Sequence, residues 1–84
     1  MNRKKKAQQL VEVIKNECNN LNIDKAWEVW CELFALYDTP STASFEQRIA
    51  DCIELHSFLQ QITNEEVYAI TDYGKDLYYA QTEE

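Results

Sequence analysis

The sequence predicts a mainly α domain that carries a small β-hairpin, an α+β order of three helices, a two-stranded hairpin and a closing helix. Three observations predict it. Apolar residues recur at intervals of three and four through the first two thirds of the chain, the spacing of helix faces. Val67 to Thr71 instead alternates, behind the polar tetrad Thr63-Asn64-Glu65-Glu66, as a strand follows a hairpin tip. The only glycine, Gly74, stands three residues after Thr71, a residue suited to capping a final helix.

Ala7, Leu10, Val11, Ile14, Cys18 and Leu21 mark the inner face of the first helix, which ends at the polar Asn19, Asn20 and Asn22. Asp24 is a natural cap for a second helix from Ala26 to Tyr37. Its polar positions are confined to Lys25, Glu28 and Glu32, so it is either central to the core or also covered by a partner. Pro40 stops it. Ser41, Thr42 or Ser44 then caps a third helix running to about Leu55. The pattern assigns Phe45, Ile49, Cys52, Ile53 and His56 inward, and Glu46, Gln47, Ala50, Asp51 and Glu54 outward.

The hairpin pairs Phe58 to Ile62 with Val67 to Thr71, although Leu55, Phe58, Leu59 and Ile62 also fit a helical period that would lengthen the third helix. Thr71 caps a closing helix, Asp72 to about Ala80. With 84 residues and no internal repeat, the chain predicts a single domain over residues 1–84, with a basic arm at 1–6 and a tail at 81–84.

Fifteen acidic and eight basic residues give a formal charge of -7. Arg3, Lys4, Lys5 and Lys6 hold half of the positive charge, leaving the remainder strongly acidic. Aromatic content of 12% argues for a folded core. Cys18, Cys31 and Cys52 form no paired motif, and no signal peptide or membrane-length apolar run is evident. The expected location is the cytoplasm, with reduced thiols.

Three helices, a hairpin wing and a closing helix is the order of a winged helix-turn-helix domain. Val67-Tyr68-Ala69-Ile70-Thr71-Asp72-Tyr73-Gly74-Lys75-Asp76-Leu77 resembles the run that ends the wing in MarR-like and PadR-like regulators, where the second wing strand enters the final helix through a threonine. Ile49 to Phe58 is similar to the end of the third helix in those proteins, with His56-Ser57 in place of their usual glycine. The resemblance implies a DNA-reading third helix, a wing on the DNA backbone or minor groove, and dimerisation through the first and last helices.

The charge opposes the usual task of that fold. Phosphate neutralisation by basic residues supplies most non-specific DNA affinity, whereas the third helix offers Glu46, Asp51 and Glu54 around Arg48, and the wing tip offers Glu65 and Glu66. The favoured expectation is a non-enzymatic protein-binding regulator or inhibitor, one version imitating nucleic acid with its acidic face. Trp27, Trp30, Tyr37, Tyr78 and Tyr79 are its candidate apolar contacts, with Glu46, Asp51, Glu54, Glu65 and Glu66 around them. The alternative is a dimeric DNA-binding transcriptional regulator using Arg3, Lys4, Lys5, Lys6, Ser41, Thr42, Ser44, Gln47 and Arg48. A homodimer is expected, and no membrane or small-molecule partner.

Catalysis is not expected. His56 shares a helical face with Cys52, but the cysteines are widely spaced at apolar positions, unlike zinc knuckles. One glycine excludes a glycine-rich phosphate loop. No cofactor or metal is called for.

Overall fold

The computed structural model describes residues 2–82 and contains four helices: α1 (Arg3–Asn19), α2 (Ile23–Leu36), α3 (Phe45–Leu59) and α4 (Asn64–Thr82). No strand occurs among the described residues. The expected α+β class, its hairpin and the winged-helix resemblance are therefore corrected to an all-α fold.

Helix α1 begins where Asn2 accepts a hydrogen bond from the Lys5 amide at 2.8 Å. Residues 3–6 of the expected arm form its first turn, and Met1 lies outside the described residues. Ala7, Leu10, Val11 and Ile14 are buried as their spacing predicts. The helix ends in a Schellman turn, with Asn22 N–H donating to Glu17 C=O at 2.8 Å and Leu21 N–H to Cys18 C=O at 3.1 Å. Leu21 takes the left-handed position of that turn, with φ of 61°, and is 83% exposed, so its expected inward role is corrected.

Helix α2 lies against α1 and buries Ala26, Trp30, Leu33 and, at its end, Tyr37. The Trp30 and Phe34 rings meet edge to face at 4.9 Å. Helix α4 packs on α2, and Gly74 is where they approach: a Cβ there would overlap the six-membered ring of Trp27. Gly74 lies in a helix interior, not in the first turn of a helix capped by Thr71.

The stretch from 58 to 71 differs most from expectation. Phe58 and Leu59 complete α3, and Phe58 and Ile62 are buried. Thr63-Asn64-Glu65-Glu66 is a capping box, not a hairpin tip. Glu66 N–H donates to Thr63 Oγ1 at 3.2 Å, and Thr63 N–H donates to Glu66 Oε1 at 2.9 Å. Val67, Ile70 and Gly74 then follow at intervals of three and four on the packed face of α4. Thr71, expected as a cap, lies inside the helix and donates its hydroxyl to Val67 C=O at 2.9 Å.

Gln81 and Thr82 belong to α4; Glu83 and Glu84 of the expected tail lie outside the described residues. No helix among the described residues is long and apolar enough to cross a membrane.

Candidate functional site

Helix α3 is turned the opposite way from its sequence pattern, and a polar knot holds it there. Arg3, the first residue of α1, donates from Nη2 to Asp51 Oδ1 at 2.8 Å and from Nε to Glu54 Oε2 at 3.0 Å. Its guanidinium lies over the Tyr37 ring, 4.4 Å from the centroid. Tyr37 donates its hydroxyl to Glu54 Oε2. Asp51 also accepts from Thr39 Oγ1 at 2.8 Å and Gln47 Nε2 at 2.9 Å. One cation thus gathers α1, the end of α2, the following loop and α3.

A positive side chain at a helix start opposes the helix dipole, and the paired carboxylates of α3 offset that cost. Asp51, expected outward, is only 5% exposed; Glu54 is half-buried. The Thr39 hydroxyl first, then Arg3 and Gln47, hold the Asp51 carboxyl below the usual carboxylate range. The Tyr37 hydroxyl and Arg3 do the same for Glu54, against the opposing effect of burial. Burial and the bond to Glu54 push Tyr37 up to about 12.

With its polar side drawn in, α3 presents its apolar side to solvent. Phe45 is 73% exposed, Ile49 44% and Ile53 65%, at successive intervals of four, and Cys52 and His56 are exposed beside them. The spacing alone predicts every one of these inward. Ser44 caps the helix by accepting from Gln47 N–H at 3.1 Å, and Arg48 Nη2 donates to Ser41 C=O at 2.6 Å, tying down the preceding loop. Two open grooves flank the helix. One is lined by Lys4, Ala50, Ile53, Glu54, Ser57 and Phe58. The other, at the carboxyl end, is lined by Trp30, His56, Leu59, Ile62 and Val67 with Gln60 and Asn64.

The chain matches no family model, no curated protein and no solved structure.

The expected contact residues are dispersed. Trp30 and Tyr37 are core, and Trp27 is half-buried against Gly74. Tyr78 and Tyr79 are exposed near the end of α4, their rings edge to face at 5.7 Å, with Lys75 Nζ 5.9 Å from the Tyr79 centroid. Of the five acidic candidates, Asp51 and Glu54 are bound to Arg3, and Glu66 pairs with Lys15 at 3.3 Å. Burial raises the Glu66 carboxyl, but the Thr63 amide and hydroxyl and Lys15 together bring it below its ordinary value. Glu46 and Glu65 are exposed.

Among the DNA candidates, Arg3 is engaged in the knot, and Lys4, Lys5 and Lys6 are exposed on α1, with Lys4 Nζ 4.0 Å from Glu54. Ser41 and Thr42 are exposed in the loop, while Ser44, Gln47 and Arg48 make the bonds already described. All three cysteines are free thiols, and no group of three or more metal-ligating side chains is assembled among the described residues. Sequence reading missed Phe45, Ile49 and Ile53 as surface and Thr39 as a partner of Asp51. The signal was the spacing of Gln47, Asp51 and Glu54, which is that of a buried face as well as of a solvated one.

Proposed function

We propose that this protein is a small non-enzymatic regulator that works by contact with protein, through the apolar face of α3. The observation that carries the proposal is the outward row of Phe45, Ile49 and Ile53 on a helix whose polar side is tied to Arg3. Apolar surface in water gains roughly 25 cal/mol per Å² on burial, and a contiguous stripe of large side chains marks an interaction surface more often than scattered ones do. Glu46 and Lys4 border the stripe and suit a polar rim.

A nucleic-acid-imitating surface has less support, because Asp51, Glu54 and Glu66 spend their charge on internal cations. DNA binding through a basic arm has less support for the same reason: Arg3 is engaged within the fold.

A photo-crosslinking side chain at Ile49, introduced in the native host, tests the proposal. The expected result is discrete protein adducts that are absent with the same probe at Gln9, an exposed position of α1. Indistinguishable adducts at the two positions would remove the proposal. Salt-sensitive duplex DNA binding that survives Ile49→Asp would favour the nucleic-acid reading instead.

A further inference from the structure

We infer that the occupant of the α3 face is a second copy of this chain, with the two α3 helices antiparallel about a two-fold axis near Cys52. The inference rests on the proposed role of that face and names what covers it.

The face is self-complementary in shape. Phe45 projects from one end of the stripe, 73% exposed. At the other end, beside His56, lies the open groove walled by Trp30, Leu59, Ile62 and Val67. Eleven residues of helix separate Phe45 from His56, about 16 Å at the helical rise. A two-fold axis midway between them, perpendicular to α3, carries each Phe45 onto the other copy's groove. Knob and hole on one patch are what an isologous interface requires. Ile49 and Ile53 then meet across the axis, and Cys52 is the cysteine nearest to it.

The local charge permits this pairing despite the formal charge of -7 on each chain. Arg3 and Lys4 together offset Asp51 and Glu54, which leaves Glu46 and Arg48 as the remaining charges, of opposite sign, on α3 itself. A face with no excess of negative charge neither repels its own copy nor selects a basic partner. Antiparallel helices also align their dipoles favourably. A single helix face with one groove is a small interface, at the end of the range below about 1,200 Å² in total, so pairing depends on concentration.

Sedimentation equilibrium from micromolar to millimolar protein, together with mild oxidation by diamide, tests this. The expected result is a reversible monomer–dimer equilibrium, weakened about thirtyfold by Phe45→Ala, the scale of an anchor residue. Oxidation, in which two thiols lose two electrons and two protons to the diamide, should give a covalent dimer through Cys52. It should be lost in Cys52→Ser and kept in Cys31→Ser. In a Cys52→Ser background, Gln60→Cys should not link to itself, because the two positions lie at opposite ends of the interface. Self-linking there would make the helices parallel and overturn the arrangement. A monomer at every concentration would overturn the second copy as occupant; heavier Ile49 adducts in the host would then leave the proposed function standing, and their absence would remove both.

Discussion

The Arg3 guanidinium and the Asp51 carboxylate meet at 2.8 Å across 48 residues of sequence, and this pair decides which side of α3 faces water. Removing one partner strands part-buried charge on the other. Arg3→Ala should therefore loosen α3 while leaving the pairing of α1 with α2 intact. Amide hydrogen exchange should quicken across residues 45–59 and change little across 23–36. Arg3→Lys should rescue only in part, since an ammonium cannot serve Asp51 and Glu54 as a fork while lying flat on Tyr37. Unchanged exchange in α3 would show that the knot does not hold it.

The same knot sets a pH dependence. Asp51 and Glu54 have folded-state values below their unfolded ones, so their stabilisation is complete above the ordinary carboxylate range and is lost as pH falls through the depressed values. Chemical denaturation should show a stability plateau near neutrality and a decline beginning below about pH 4.5. Tyr37 acts at the other end. Its proton is held to about 12, against an ordinary 10.0, so stability should fall again as pH rises through that interval. Tyr37→Phe should remove the component of the tyrosine absorbance titration that falls at about pH 12.

Gly74→Ala is the substitution for which helix propensity and packing disagree. Propensity alone favours alanine by about 1 kcal/mol in a helix interior. The added methyl meets the Trp27 ring, however, and overpacking of that kind costs about 1–3 kcal/mol. The net effect should be destabilising in urea denaturation, and pairing it with Trp27→Leu should recover part of the loss through non-additivity. A stabilising Gly74→Ala would place Trp27 elsewhere.

Leu21 should tolerate the reverse change. It occupies the left-handed region with its side chain in water, a conformation that costs a non-glycine residue about 1 kcal/mol. Leu21→Gly should raise the unfolding free energy by about that amount, less the greater freedom glycine brings to the unfolded chain. A marked loss would mean that Leu21 packs against something.

Helix α1 was legible because Ala7, Leu10, Val11 and Ile14 carry one period without competition. Helix α2 was legible as a helix but, apolar around most of its circumference, did not mark Ala26, Trp30 and Leu33 as its buried face. Val67 to Thr71 carries two periods. Its alternation reads as a strand, while Val67, Ile70 and Gly74 read as a helix, and a five-residue window does not choose between them. The Thr63 and Glu66 capping box three residues apart does choose, and the negative tetrad was read as a turn tip instead. Helix α3 failed differently. Its amphipathic pattern was correct, but orientation comes from Arg3, a residue more than forty positions away whose carboxylate partners no local pattern reveals. For the candidate site this meant that Trp30 and Tyr37 were placed at the surface and Phe45, Ile49 and Ile53 in the core.

The most direct test is the unfolding free energy of Phe45→Ala and Ile53→Ala at protein concentrations low enough to keep the chain monomeric. Both side chains face solvent on α3, so each substitution should change stability by no more than about 0.5 kcal/mol. Losses of about 3–5 kcal/mol, the cost of emptying a core position, would contradict the outward face.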